Sequence, residues 1–180
     1  EGCLTKMTAA TVQPEVTPRK ATAGMRRLLL GGSRRHQTTL VIIGNGMTSH
    51  KLCARLMELP GGGRFRIVVF GEESRPAYDR VHLTQFLTGR TARQLELAPR
   101  SWYEQNNIEL NLGDPVTAID RERRLVRSAS GREVNYDQLV LATGSRAFVP
   151  PIPGRDLPGV FVYRTLEDLA RIRECAARSA

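Results

Sequence analysis

Short runs of apolar residues, free of polar interruptions, mark the core of this chain. They fall at residues 40–43, 67–70 and 139–141. Continuous runs of this length are typical of parallel strands that are buried on both faces, whereas half-exposed strands alternate. We therefore predict an α/β fold of the Rossmann-like type, with three layers and a central parallel sheet.

Between the first two runs the pattern changes to that of a helix. Leu52, Leu56 and Leu59 recur at helical spacing. The spacing predicts an amphipathic helix over 48–59, ended by the proline and glycines of segment 60–63. Shorter helical segments are predicted over 83–87, 102–105 and 166–176.

A second set of apolar residues alternates with polar ones, which is the pattern of half-exposed strands. We expect these strands to form an antiparallel β-meander, inserted before the third apolar run, that covers one face of the parallel sheet. Ser101 is predicted to cap the helix before them, with Glu104 completing a capping box. The predicted short strands lie over residues 108–112, 116–120, 124–127 and 132–134.

Glycines follow the first and third apolar runs. Gly44 lets the chain turn sharply out of the strand, and Gly46 lets the backbone approach a pyrophosphate closely. The helix that follows points its unpaired N–H groups and the positive end of its dipole at the phosphates. Thr143 and Gly144 form the corresponding turn after the third run, and Ser49 stands where a third glycine is usual. Together these turns predict a site for a dinucleotide such as FAD, although a glycine turn alone also suits an ordinary strand-to-helix connection.

An acidic pair, Glu72 and Glu73, follows the second apolar run. A carboxylate at the end of this strand can accept hydrogen bonds from the ribose hydroxyls of an adenosine. The sequence does not decide between the two residues, because a one-residue shift at a strand end turns the side chain to the other face.

The formal net charge of +9 does not indicate a nucleic-acid-binding protein, because more than half of the excess falls in residues 1–38. That segment lacks sustained periodicity, and we expect it to be a disordered basic leader. No apolar run approaches the roughly 20 residues of a membrane-spanning helix. Cys3, Cys53 and Cys175 show no C-x-x-C spacing, which argues against a disulfide framework or a metal site and fits a reducing, cytoplasmic setting.

His50 and His82 are the candidates for acid–base chemistry. Neither has a carboxylate at a spacing that suggests a pair, so we expect both to be structural and predict no catalytic residue. Cys53 is expected to serve as a small apolar residue of the first helix.

Several segments give residues 40 to about 170 a close resemblance to a known family. The chain resembles the N-terminal FAD module of the large subunit of NAD(P)H-dependent assimilatory nitrite reductase, within the pyridine nucleotide-disulfide oxidoreductase-like superfamily. A more distant resemblance is to FAD-dependent ferredoxin and rubredoxin reductases, which stay open as an alternative. The matching segments are 44–47, 75–83, 102–104, 112–114, 116–121, 136–137, 139–145, 148–154 and 160–165.

The resemblance implies how the chain is divided and which residues meet the cofactor. Residues 39–158 would be the FAD-binding domain, and 159–180 a connector and helix that lead to a nicotinamide-binding domain. Arg80 would neutralise phosphate charge, and the backbone of Val116 would meet the adenine edge. The implied cofactor-binding residues are Gly44, Asn45, Gly46, Met47, Glu72, Glu73, Arg80, Val116, Thr143 and Gly144.

The resemblance also implies an oxidoreductase that passes electrons from NAD(P)H through FAD toward iron–sulfur and sirohaem centres, where nitrite is reduced. The ligands of those centres are not recognised in this sequence, so the chain is expected to be an electron-entry fragment. A non-catalytic nucleotide-binding remnant is the other alternative. The implied partners are NAD(P)H and nitrite, with a homodimer or a small subunit left open, as is the choice between NADH and NADPH.

Overall fold

The structure is a computed structural model that describes residues 37–179. The predicted leader lies outside the described residues except for Gln37 and Thr38, and Thr38 already belongs to the first strand. None of the helices between residues 37 and 179 is long and apolar enough to cross a membrane. In chain order the elements are β1 (Thr38–Ile43), α1 (Met47–Glu58), a 3-10 helix (Gly62–Arg64), β2 (Phe65–Phe70), a second 3-10 helix (Leu83–Phe86), α2 (Ala92–Leu95), α3 (Arg100–Gln105), β3 (Ile108–Asn111), β4 (Val116–Asp120), β5 (Leu125–Ser128), β6 (Glu133–Asn135), β7 (Gln138–Leu141) and α4 (Leu166–Ser179).

A parallel sheet of four strands forms the centre of the fold, in the order β3-β2-β1-β7. Ile42 of β1 pairs with Val69 on one side and with Val140 on the other. Helix α1 makes the crossover between β1 and β2, as a parallel connection requires. The predicted α/β class is therefore confirmed. The first two apolar runs are the inner strands β1 and β2, and the third is β7, an edge strand whose end residues are exposed.

The two faces of this sheet are covered by different layers. One face packs against α1 and α3, and the other packs against the antiparallel sheet. The helical layer and its face share the cluster Leu40, Ile42, Cys53, Ile67, Val69, Ala98, Tyr103, Ile108 and Leu110. The opposite face shares the cluster Val41, Ile43, Val68, Phe70, Val126 and Val134. Alternate residues of β1 and β2 thus point to opposite layers, which explains why both strands read as unbroken apolar runs.

The antiparallel sheet contains three strands in the order β4-β5-β6, with an irregularity between Val116 and Ala118. This confirms the predicted meander, but the assignment of segment 108–112 to it was wrong. That segment is β3, which pairs in parallel with β2 at the edge of the central sheet. Its residues alternate between buried and half-buried because an edge strand of this sheet is less completely covered, and this produced the misleading pattern.

The predicted cap of α3 was also wrong. Pro99 occupies the N-cap position and no side chain caps the helix, so Ser101 lies inside the first turn, where its hydroxyl cannot act as an N-cap. A capping box does occur, at the start of α2, which the pattern did not predict. There the backbone N–H of Gln94 donates to Thr91 Oγ1 over 3.3 Å, and the side-chain Oε1 of Gln94 accepts from the backbone N–H of Thr91 over 2.9 Å.

A third apolar cluster attaches α4 to the rest of the fold. Leu166 and Leu169 pack against Tyr78, Leu83 and Leu95, which lie in the region between β2 and α3. The loop after β2 and the last helix are therefore held as neighbours, beside the end of the sheet where the glycine turns lie.

Candidate functional site

The loop after β1 lies at the carboxyl end of the sheet, between the ends of β2 and β7. The Gly44 N–H donates to the Phe70 carbonyl over 2.8 Å, and its φ is +106°. A Cβ on Gly44 would overlap the Ala142 carbonyl oxygen and lie 2.5 Å from its carbonyl carbon. The packing of β1 against the turn after β7 therefore requires a glycine at this position.

Gly46 is different, because no contact within the described part of the chain requires a glycine there. Its φ is −112°, which other residues adopt readily, and no heavy atom of residues 37–179 lies within 4 Å of the position that a Cβ would take. Gly46 is the N-cap of α1, which has no side-chain cap and no acidic residue in its first turn. The open space in front of Gly46 thus adjoins unpaired helix N–H groups, an arrangement that suits an anion.

Asn45 lies between the two glycines, packed closely against Gly71. A Cβ on Gly71 would lie 2.9 Å from the Asn45 Cβ, and Asn45 Nδ2 donates to the Arg75 carbonyl over 3.3 Å. The buried Asn45 Oδ1 has no hydrogen-bond partner among the described residues, and neither has the buried Oγ of Ser49. An acceptor without a donor inside the loop is costly unless a ligand or water satisfies it.

The two acidic residues after β2 have different partners. Glu73 accepts from the Tyr78 hydroxyl over 2.7 Å and forms a short ion pair with Arg80. Glu72 Oε1 meets Arg146 Nη2 at 3.1 Å, and 67% of the Glu72 side chain is exposed. The carboxylate of Glu73 is thus used within the protein, whereas that of Glu72 is accessible.

Arg80 already has several partners within the protein, which the sequence did not indicate. Besides its pair with Glu73, it donates to the Arg164 carbonyl over 3.4 Å, and its guanidinium lies 4.9 Å from the centre of the Tyr78 ring. Burial raises the pKa of Tyr78, and the hydrogen bond to Glu73 raises it further, so the hydroxyl stays a donor. Arg80 therefore helps to hold the loop after β2, and its role at a phosphate stays a prediction.

The remaining predicted residues flank the same end of the sheet. Thr143 and Gly144 follow β7 and are exposed, and the φ of Gly144 is +70°. Val116 is half-buried at the start of β4. Just before it, the Gly113 and Asp114 N–H groups donate to the Glu73 and Gly71 carbonyls, each over 3.0 Å. The start of β4 is thus tied to the loop that carries Glu72. Met47 is the first residue of α1.

Two arginines near this site were missed by sequence reasoning. Arg146 reaches Glu72, and Arg164 Nη2 lies 3.6 Å from the position that a Cβ on Gly144 would take. Arg146 directly follows the predicted turn at 142–145 and Arg164 lies in the matching segment 160–165, but no local signal shows that Arg146 contacts Glu72 or that Arg164 lies beside Gly144.

Both histidines contact specific side chains that the sequence did not indicate. We expected no carboxylate beside either residue, which is wrong for His82, because its Nδ1 lies 2.6 Å from Asp79 Oδ2. His50 packs edge-on against Trp102, and burial lowers its pKa. Cys53 is fully buried, and burial raises the pKa of its thiol to about 11. Between residues 37 and 179, no group of three or more metal-ligating side chains converges.

Known proteins are similar to this chain in sequence and in fold. The nitrite reductase [NAD(P)H] large subunit of Klebsiella oxytoca is 50% identical over 141 residues, which cover 78% of this chain and 14% of that protein. The assimilatory nitrate reductase electron transfer subunit of Bacillus subtilis is 36% identical, with 76% and 18% covered. The crystal structure of NADH:rubredoxin oxidoreductase from Clostridium acetobutylicum matches with a TM-score of 0.67 at 26% identity, over 78% of this chain and 36% of that one.

The chain spans less than a fifth of the length of these two curated relatives. A family model, in contrast, matches nearly all of the described residues of this chain. The family described as "Pyridine nucleotide-disulphide oxidoreductase" matches residues 38–178, from the first strand to the end of α4. Fold, glycine turns and sequence therefore agree, and this chain belongs to the pyridine nucleotide-disulphide oxidoreductase family.

Proposed function

We propose that the chain is the FAD-binding electron-entry module of an NAD(P)H-dependent nitrite reductase large subunit. The 50% identity to a protein of that name supports this reading over others. The NAD(P)H site, the iron–sulfur and sirohaem centres and the reduction of nitrite are assigned by this proposal to parts of the protein outside the 180 residues. Residues 39–158 would bind FAD, and 159–180 would connect them to a nicotinamide-binding domain.

The space in front of Gly46 is the observation that carries the proposal. A glycine is present where the fold does not need one, and the vacant position adjoins the N-terminus of α1. A diphosphate placed there would meet the N–H groups of the first turn, including that of Met47, without displacing any side chain. The buried, unpartnered Oδ1 of Asn45 fits the same ligand, since a hydroxyl or an ordered water at the diphosphate could donate to it.

Glu72 is the better candidate of the acidic pair for the adenosine ribose. Glu73 is already engaged by Tyr78 and Arg80, so its release would cost two hydrogen-bonded contacts. Glu72 is accessible, and the start of β4 is bonded to the same loop, which brings the Val116 backbone toward the adenine side. Thr143 and Gly144 would then flank the flavin side of the crevice, at the end of β7.

A bound flavin supplies the redox chemistry, because it accepts two electrons together and releases them singly. The residues of this chain bind it, orient it and tie its surrounding loops together. No side chain is assigned a proton-transfer role, since the Asp79–His82 pair is satisfied internally and partly exposed. The proposed site is therefore tested by FAD binding, and not by catalytic activity.

Ferredoxin or rubredoxin reduction is the second candidate, supported by the structural match to a rubredoxin oxidoreductase. The identity to that protein is 26%, compared with 50% for the nitrite reductase relative, and this difference favours the first reading. Both candidates use the same cofactor site. The proposed nitrite reductase function also implies a location in the cytoplasm. It further implies assembly as a homodimer or with a small subunit.

The test is a titration of the 180-residue chain with FAD, followed by quenching of flavin fluorescence and by absorbance. We expect saturable binding that is lost in Gly46→Val, because a branched side chain would fill the diphosphate position. Gly63→Val is the matched control. A Cβ on Gly63 also meets no atom of the described residues within 4 Å, but Gly63 precedes β2 and so lies at the other end of the sheet from Gly46. A wild-type chain that cannot be loaded with FAD would support the non-catalytic remnant, and equal binding by both variants would refute the placement of the diphosphate.

A further inference from the structure

An ion pair crosses the end of β1. Glu72 comes shortly after β2, and Arg146 comes shortly after β7. These two strands lie on opposite sides of β1 in the sheet, yet Arg146 Nη2 and Glu72 Oε1 are 3.1 Å apart. The contact therefore spans the loop that contains Gly44 and Gly46.

The turn after β7 makes this crossing feasible. Gly144 adopts a φ of +70°, which redirects the chain before Arg146. The Arg146 side chain is 87% exposed, so the interaction with Glu72 rather than burial holds its guanidinium in place. An exposed pair of this kind contributes little to folding stability. Folding stability therefore does not account for the pair, which joins the two loops on either side of the glycine loop.

The electrostatics of the proposed site call for a cation at this point. The diphosphate and Glu72 are both negative and would share one crevice, which weakens binding unless a positive charge lies between or beside them. Arg80 is engaged by Glu73 and by the Arg164 carbonyl, whereas Arg146 contacts the Glu72 carboxylate itself. Arg146 uses only one of its five N–H donors on Glu72 and contacts only Oε1, so Oε2 has no partner among the described residues.

We propose that Arg146 is a cofactor-positioning residue, which neutralises and orients the Glu72 carboxylate so that Oε2 accepts the hydrogen bonds of the adenosine ribose. The inference rests on the proposed FAD site and adds a residue to it. Arg146 acts through Glu72 at the adenosine end, and the flavin end is independent of it.

The experiment compares FAD affinity in the full 180-residue chain with that in Arg146→Ala and Arg146→Lys. Arg123→Ala is the control, since Arg123 is 82% exposed and also forms an exposed pair, with Asp120 at 3.8 Å on the far hairpin. We expect Arg146→Ala to weaken FAD binding about two- to fivefold, the range of an exposed ion pair. Arg146→Lys should recover part of this loss, and the control should bind as the wild type does.

Three further measurements separate positioning from a general structural effect. ADP carries the ribose and the diphosphate without a flavin, so its competition with FAD should be weakened by Arg146→Ala to the same extent. The difference between wild type and variant should shrink at roughly 1 M salt, where the screening length is about 3 Å. In a double-mutant cycle, Arg146→Ala should add little to the loss already caused by Glu72→Gln.

The outcomes distinguish this inference from the one on which it rests. If the wild type does not bind FAD, the proposed function fails and Arg146 loses its role with it. If the wild type binds FAD and Arg146→Ala binds equally well, only the role of Arg146 is refuted. A loss for FAD without a loss for ADP, or fully additive effects of the two substitutions, would also refute action through Glu72.

Discussion

Alanine substitutions of the two glycines of one loop are expected to change different properties: Gly44→Ala should lower folding stability, and Gly46→Ala should lower the affinity for FAD. In Gly44→Ala, the new Cβ would lie 2.5 Å from the Ala142 carbonyl carbon and 2.9 Å from the Thr143 Cα, and the backbone would keep a φ of +106°. Unfavourable backbone geometry costs a residue with a Cβ roughly 1–2 kcal/mol. Overpacking against atoms that cannot rotate away costs typically about 1–3 kcal/mol. The free energy of unfolding should therefore fall by about 2–5 kcal/mol.

Gly46→Ala introduces the same methyl group two residues later, where it meets no described atom within 4 Å. Its backbone angles suit alanine, and the exchange of an N-cap glycine for alanine costs at most about 1 kcal/mol. Its stability should thus stay close to that of the wild type, whereas its affinity for FAD should fall.

Urea unfolding followed by circular dichroism measures the difference. With a slope of about 2 kcal/mol per molar urea, Gly44→Ala should lower the midpoint by about 1–2.5 M, and Gly46→Ala by less than about 0.5 M. Equal midpoints for the two variants would refute the division into a structural and a ligand-facing glycine. Unchanged FAD affinity in Gly46→Ala would leave the first half of the reasoning intact and remove the second.

Two other predictions concern groups away from the crevice. Burial alone would raise the pKa of Asp168, but hydrogen bonds from Thr165, Arg171 and Arg164 outweigh it and hold the pKa below the usual range. The stability that this carboxylate contributes is therefore present above its unfolded pKa of about 4 and is lost as the pH falls through the folded value. Asp168→Asn should lower the urea midpoint at pH 7 and show a smaller further drop at pH 3 than the wild type, and an equal drop would contradict the assignment. The Cys53 thiol, buried and with its pKa raised to about 11, should resist iodoacetamide at pH 8 until urea unfolds the chain, as peptide mass spectrometry would show; rapid native labelling would contradict its burial.

Local patterns predicted the elements whose burial is uniform along their length. Strands β1 and β2 were recognisable because both of their faces are covered, so every position from Val41 to Ile43 and from Ile67 to Phe70 is apolar. The edge strand β3 has the alternation of an antiparallel strand, and no local signal shows that its neighbour is β2. The start of α3 could not be located either, since Pro99 and Ser101 both suit a helix N-terminus.

In the candidate site, contacts between residues far apart in the chain could not be predicted from the sequence. The choice between Glu72 and Glu73 depends on Tyr78, Arg80 and Arg146, and the last of these follows them by more than sixty residues. The glycine turns were predictable because glycines directly after an apolar run are a local signal, although the contact that requires Gly44 comes from Ala142 in the turn after β7. The partners of a side chain are set by the fold as a whole.

Arg75 gives the molecule a mechanical property that the sheet does not provide. Its carbonyl accepts from Asn45 in the glycine loop, and its Nε donates to Glu167 in the first turn of α4 over 2.9 Å. Both contacts belong to a single residue, so the loop and the helix cannot shift independently without breaking one of them. A displacement of α4 would consequently be transmitted to the glycine loop through one residue and two hydrogen bonds.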